Sequence, residues 1–310
     1  MKYLPIWPSP QKFKFDKNIK KFPDSKLNYI ENFFSKKYRS KFCILTSSAR
    51  VGILLILKFK KYDRSKIIRI PKWSSHCLYD SIGSLTNVSC GENIKNDCEL
   101  IVHQFGNTLN YKSKTSLIID DSSDSLPTKN FIPFFNSKLS EVISLRKIIG
   151  SYCGGLILTN NKKLFLFLKS KQKSTLEISR NQSFKKYECL LKKKNNFDWH
   201  YHESFNFGID ENTVLNVYDN LKNFDLNKKM IIKRKEKFFT NKFISYDKYR
   251  IGPCALVKFK KKYENTFESR QINKSKNLST QKFEKMNLIP LHFTIKESEL
   301  EKKINKILRN

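Results

Sequence analysis

Residues 142–160 read VISLRKIIGSYCGGLILTN, and their pattern decides the fold. Val142-Ile143-Ser144 is a short apolar strand that stops at a hydroxyl, with Lys147 three residues further on. Gly154-Gly155 then opens a second apolar strand, Leu156-Ile157-Leu158. The same strand, small turn and helix recur upstream. Phe42 to Leu45 is an apolar strand that runs into Thr46-Ser47-Ser48-Ala49, and a helical apolar run begins at Val51. Ile67 to Pro71 is a further strand. Leu100 to His103 and Leu117 to Ile119 are continuous apolar runs of the kind buried on both faces of a parallel sheet. Strands alternating with helices predict an α/β domain with a largely parallel sheet.

The flanking segments are read from the same signals. Residues 1 to about 25 are irregular, broken by Pro5, Pro8, Pro10 and Pro23. Leu27 to Lys37 has the apolar spacing of an amphipathic helix. Ser174 to Asn196 is Lys-rich and less regular, whereas Asn212 to Leu221 and Lys228 to Phe239 have helical spacing. A strand at Ala255 to Phe259 precedes a Lys-, Asn- and Ser-rich excursion, Lys260 to Lys282. Leu288 to His292 follows as a strand before a last helix, where Thr294 and Glu297 have capping-box spacing. The predicted division is an arm over 1–25, a large domain over 26–204 and a small α+β domain over 205–310.

Composition narrows the function classes. The 310 residues carry 61 Lys+Arg against 28 Asp+Glu, a formal charge of +33, and are 39% hydrophobic, which excludes a disordered chain. Such a charge makes nucleic acid the first partner to weigh. Only ten of the basic residues are Arg, the residue that reads bases and grips phosphates in a fork, and the Lys are spread from Lys2 to Lys306. The excess therefore reads as amino-acid usage drifting with an AT-rich genome, and no nucleic-acid partner is expected, although a basic surface can draw in an anionic substrate. Seven Cys without CxxC spacing read as reduced thiols. No apolar run approaches the ~20 residues of a membrane span. The first residues lack the apolar core of a signal peptide, so the expected location is cytoplasmic.

Four clusters could carry chemistry. Ser144 and Lys147 suit a Schiff-base amine beside a phosphate-binding hydroxyl. Asp120 and Asp121 end an apolar strand, where open parallel sheets place ligand-binding residues, and a carboxylate there could pair with a pyridinium nitrogen. Ser47 and Ser48 open a helix whose free N–H groups could hold a phosphate, or serve as an ordinary cap. His200-Tyr201-His202-Glu203 invites a metal, but no second pair of ligands is evident, so no metal is expected.

In this order the patterns resemble the DegT-like nucleotide-sugar aminotransferases, a family of fold-type-I pyridoxal 5'-phosphate (PLP) enzymes. The resemblance runs through Thr46-Ser47-Ser48-Ala49, Ile70-Pro71-Lys72-Trp73, His103-Gln104-Phe105-Gly106, Ile119-Asp120-Asp121, Ser144 with Lys147, Gly154-Gly155-Leu156-Ile157-Leu158-Thr159-Asn160, Arg234, and Leu288-Ile289-Pro290-Leu291-His292. It implies a large domain with a mostly parallel central sheet, a small C-terminal domain and a homodimer. It implies that Lys147 binds the cofactor covalently and moves the substrate proton. Asp121 would pair with the pyridine nitrogen, with Asp120 the alternative one residue away. Ser47, Ser48 and Ser144 would hold the phosphate, Trp73 or His76 would stack on the ring, and Asn206 would reach the phosphate of the neighbouring subunit. Asp124 stands near the ring hydroxyl where the family has Gln or His, and Asn206-Phe207-Gly208 lacks the family's Arg. The implied reaction moves an amino group from glutamate to a nucleotide-linked keto-sugar in surface polysaccharide synthesis. The alternatives are a dehydratase, which in this fold usually has His in place of Lys147, and a non-catalytic basic binding protein.

Overall fold

A computed structural model describes residues 3–91, 94–111, 115, 117–191, 207–239, 247–258, 267–274 and 282–308. The chain begins with α1 (Asp24–Lys37), which buries Leu27, Ile30 and Phe34. It starts three residues before the first apolar position, because Pro23 can stand before a helix and Asp24 suits its positive end. Next come β1 (Phe42–Thr46), α2 (Ala49–Phe59), β2 (Ile67–Arg69), α3 (His76–Gly83), β3 (Asn87–Ser89), β4 (Cys98–Val102), β5 (Leu117–Asp121), β6 (Leu126–Pro127) and β7 (Ser140–Ser144). Then follow α4 (Leu145–Ile149), β8 (Gly155–Thr159), α5 (Lys162–Gln172), α6 (Leu176–Leu191), α7 (Glu211–Asn220) and α8 (Lys222–Phe238). The last elements are β9 (Arg250–Ile251), β10 (Cys254–Val257), β11 (Ser269–Asn273), β12 (Phe283–Pro290) and α9 (Glu297–Leu308).

The central sheet has seven strands in the order β1-β8-β7-β5-β4-β2-β3. It is mostly parallel, as the alternation of strands and helices predicts. The exception is β8, which is antiparallel to both β1 and β7. Helices cover both faces. On one, Ile44, Val142 and Ile157 pack with Ile53 and Leu57 of α2, a helix buried from Val51 through Leu57. On the other, Leu45, Ile143 and Leu156 pack with residues of α1, α7 and α8, among them Phe34, Val217 and Phe224. A smaller antiparallel sheet, β10-β12-β11, lies near the C-terminus. Arg234 of α8, buried, donates to the carbonyls of Leu291, His292 and Ile295 and so ties α8 to the segment after β12.

Three readings are corrected. The Lys-rich stretch after Ser174 contains a 16-residue helix, α6. Its buried side carries Ser179, Ser183, Lys186 and Tyr187, so apolar spacing could not reveal it. Within the excursion 260–282, residues 269–273 form β11, paired to β12. Its sequence, SRQIN, has one apolar residue, and the ladder rather than the pattern makes it a strand. Thr294 is no helix cap: its Oγ1 is 3.0 Å from His292 Nδ1 and accepts the Ser9 N–H, and α9 begins at Glu297. All seven Cys are free of disulfides, four of them buried. Among the described residues no helix is long and apolar enough to cross a membrane.

Candidate active site

The strand register assembles the site. Thr46 of β1 pairs with Gly155 of β8, and Gly155 pairs with Ser144 of β7. Asp121 of β5 pairs with Val142, two residues before Ser144. Paired residues share a face and alternate residues return to it, so Thr46, Gly155, Ser144 and Asp121 all stand on the face that α2 covers. They lie at the C-terminal edge of the parallel strands, where open α/β sheets bind ligands.

Two glycines draw this edge together. Gly154, at φ +100, takes a conformation that suits a residue without Cβ. Its N–H donates to Ser47 O at 2.9 Å, and its carbonyl accepts from Leu145 N at 3.1 Å. Gly154 thereby ties the Ser47-Ser48 turn to the helix that carries Lys147. At Gly155 a Cβ would fall 2.3 Å from Ala49 N, so the start of α2 rests directly on β8. Ser48 is the cap of α2, its Oγ accepting from Val51 N at 3.2 Å. Ser47 Oγ is buried and has no hydrogen-bond partner among the described residues. It lines a pocket with Cys153, Ser183, Lys186, Asp210 and Thr213. Burial pushes the Asp210 carboxyl up to about 6, against the donors Thr213 and Ser183.

The adjacent aspartates separate by strand alternation. Asp120 points away from α2 and is fully committed: it meets His103 Nε2 at 3.0 Å and accepts from Asn136 N, Asn136 Nδ2 and Ser137 N. Burial acts to raise its pKa, but the His103 hydrogen bond and charge with the amide donors outweigh it and hold it below the usual range. Asp121, on the α2 face, accepts the Ser123 N–H at 2.9 Å. Burial raises its pKa, while the Lys147 charge and Ser123 oppose the rise. A cation placed against Asp121 would reverse the effect of burial.

Lys147 projects from α4 with its ammonium 2.6 Å from Asp124 Oδ1. Its other neighbour comes from the N-terminal arm: the Trp7 ring centroid is 4.7 Å from Nζ. Trp7 is itself stacked on Phe105, with centroids 6.4 Å apart and planes 17° from parallel. Neither the arm nor Trp7 carried a sequence signal for this place. Nothing in local periodicity could have found it, because its position is set by residues distant in the chain, among them Phe105, Cys254 and His292.

The sequence-predicted residues Ser47, Ser48, Asp121, Asp124, Ser144 and Lys147 are thus gathered at one edge of the sheet. Trp73 is 53% exposed in the turn before α3. His76 is exposed at the first position of α3, and the start of that helix is joined to α2 by Arg50 Nη1 and Cys77 Sγ at 3.3 Å. Asn206, His200 and His202 lie outside the described residues. Among the described residues no three His, Cys, Asp or Glu side chains form a metal cluster.

PLP needs a phosphate cradle, an acid for its ring nitrogen and an amine. The residues present fit it in kind: a Ser47 hydroxyl without a partner among the described residues at a helix start, the first amides of α2, which have no intrahelical acceptor, the buried Asp121 carboxyl on the α2 face, and Lys147, whose charge acts on Asp121.

Fold and site together define a fold-type-I PLP enzyme. The chain belongs to the family described as "Putative PLP-dependent aminotransferase", whose model matches residues 30–310. It is a PLP-dependent enzyme of the aminotransferase class, as the resemblance implies. The fold is shared with DegT-like aminotransferases of known structure. The PLP form of "Putative sugar aminotransferase Spr1654" from Streptococcus pneumoniae is 12% identical, with a TM-score of 0.61 over 99% of this chain and 98% of that one. PseC of Helicobacter pylori, an aminotransferase involved in the biosynthesis of pseudoaminic acid, is 15% identical, with a TM-score of 0.61 over 99% of both chains. A DegT DnrJ EryC1 StrS aminotransferase from Brucella abortus is 11% identical, with a TM-score of 0.60 over 94% of this chain and 91% of that one. No curated protein matches the sequence.

Proposed function

We propose that this enzyme transfers an amino group from glutamate to a nucleotide-linked keto-sugar, as a cytoplasmic homodimer, in a pathway of surface polysaccharide synthesis. The observation that carries the reading is Lys147, an amine held 2.6 Å from a carboxylate at the edge of the sheet that also presents Asp121 and Ser47. The sugar is supported by proteins with this fold, Spr1654, described as a "Putative sugar aminotransferase", and PseC, an aminotransferase involved in the biosynthesis of pseudoaminic acid. The net charge of +33 favours approach of an anionic diphosphate.

The residue roles follow from chemistry. Bound PLP supplies an electron sink that makes the proton beside the substrate nitrogen labile. Ser47, Ser48, Ser144 and the α2 amides hold the phosphate, with Asn206 reaching it from the neighbouring subunit. Asp121 keeps the ring nitrogen protonated, and Trp73 or His76 covers the ring. Lys147 anchors the cofactor and, once released as a free amine, takes the substrate proton and returns it. Asp124, 2.6 Å from Lys147 Nζ, holds the lysine side chain at this edge of the sheet.

The test is to incubate the protein and Lys147→Ala with PLP, fix with borohydride, and locate the label by peptide mass. Glutamate and a panel of nucleotide-linked keto-sugars are then supplied and the products weighed. Label on Lys147 and an amino-sugar product are expected. Label without any amino-sugar would overturn the sugar reading, and sedimentation as a monomer would overturn the dimer.

A further inference from the structure

We propose that Trp7 is a positioning residue for Lys147: its indole face roofs the lysine ammonium and keeps it at the cofactor edge of the sheet whenever the amine is free. The inference rests on the role given to Lys147 above, but its geometry stands independently. The ammonium lies 2.6 Å from Asp124 Oδ1 and 4.7 Å from the centroid of the Trp7 ring. Asp121 adds a further negative charge to its surroundings.

The arm is built to keep that ring in place. His292 Nε2 and the carbonyl of Pro5 are 2.8 Å apart, and Cys254 Sγ donates to the carbonyl of Ile6 at 3.3 Å. Beyond Trp7, Ser9 N donates to Thr294 Oγ1 at 3.1 Å and Gln11 N to the carbonyl of Gly150 at 2.9 Å. Trp7 is therefore pinned from both sides and backed by Phe105. Its Nε1 is buried and has no acceptor among the described residues. A sealed N–H without an acceptor costs stability that Phe at the same place would avoid. Trp offers in return the ring that attracts a cation most strongly, which fits a role for the face of the indole rather than for its hydrogen bond. The motif ending in His292 thus acquires a purpose that its sequence did not disclose. It anchors the arm residue that covers the lysine.

The experiment uses cofactor-free protein, so its outcome does not depend on the proposed reaction. Wild type, Trp7→Phe and Trp7→Leu are methylated reductively, and the rate at Lys147 is followed by peptide mass, with Lys258, whose side chain is 72% exposed, as the internal standard. Trp7→Leu keeps apolar bulk and loses the π-face; labelling of Lys147 is expected to rise about fivefold, the equivalent of ~1 kcal/mol. Trp7→Phe should stay within about twofold of wild type. Biosynthetic tetrafluorotryptophan, whose ring has lost most of its attraction for a cation and falls well below Phe while keeping nearly the same shape, covers the case in which Trp7→Leu does not fold; Lys147 labelling should rise there too. With PLP added, the rate of capture by Lys147 should fall in Trp7→Leu and recover in Trp7→Phe, at equal final extent. Wild-type labelling of Lys147 in Trp7→Leu, or in the fluorinated protein if Trp7→Leu does not fold, would overturn the proposal. So would an equal rise in Trp7→Phe and Trp7→Leu. Failure of wild type to capture PLP at all would instead sink the role of Lys147 while leaving the labelling result to decide the roof.

Discussion

Lys147 Nζ lies 2.6 Å from Asp124 Oδ1, so the lysine and a carboxylate from the loop after β5 are already paired in the folded chain. The pair turns the departure at position 124 from an awkward neighbour of a phenolic oxygen into a partner of the lysine. Asp124→Asn keeps the shape and removes the charge. Turnover is expected to fall about 10- to 100-fold with little change in KM, since the lysine loses the charge that holds it in place. Steady-state and single-turnover kinetics check this; a change confined to KM would place Asp124 in substrate binding.

Gly155→Ala should damage the site through backbone alone. Its Cβ would fall 2.3 Å from both Ala49 N and Ser48 C, atoms that cannot swing aside as a side-chain tip would. A loss of about 1–3 kcal/mol is expected, as in other overpacked sites, together with weaker PLP binding because the start of α2 is displaced. Thermal unfolding with and without PLP measures both.

Asp210 gives stability an unusual slope. Its carboxyl stands at about 6 in the folded protein against 3.8 ordinarily, so the folded state binds more protons between those values. Its contribution is present below pH 3.8 and is lost as pH rises through 6, about 3 kcal/mol in all. Asp210→Asn, which can still cap Thr213 N, should therefore be the more stable protein at pH 8 by up to that amount. Denaturant midpoints at pH 4 and pH 8 decide it.

His292 runs the other way. Burial lowers it to about 4, opposed by its hydrogen bond to the Pro5 carbonyl. A base whose folded pKa is depressed binds fewer protons when folded. Its contribution is thus whole above pH 6.5 and falls by about 3 kcal/mol as pH drops to 4. Limited proteolysis should show the arm before α1 opening first over that range, and His292→Asn should flatten the dependence.

Glu141 and Arg250 form an ion pair at 2.8 Å with both side chains at 0% exposure. Arg250 also donates to Ser122 Oγ and Thr108 Oγ1, and Glu141 Oε2 accepts from Phe134 N. Removing one charge strands the other: Arg250→Met should cost about 3–5 kcal/mol. The double change Glu141→Leu with Arg250→Met should cost less than the sum of the two single changes. Denaturant unfolding of the three variants makes the comparison.

Long apolar runs are legible without a structure because burial selects them residue by residue, and β1, β5, β7, β8 and α2 are visible in their own sequences. The turn chemistry of Ser47-Ser48 and Gly154-Gly155 is local in the same sense, as is the pairing of Lys147 with a strand end. α6 and β11 were not legible: one buries serines and a lysine, the other is held by its ladder, and neither leaves an apolar period.

By itself the sequence determined the α/β class and the mostly parallel sheet, since both depend on local pattern and spacing. Which of Asp120 and Asp121 faces α2 was left open, and the pleat decided it only once the register of β5 against β7 was set. That Asp124 would meet Lys147, and that Trp7 would cover it, depended on the tertiary structure. Both contacts join segments far apart in the chain, and such contacts exist only when the whole fold has closed around them.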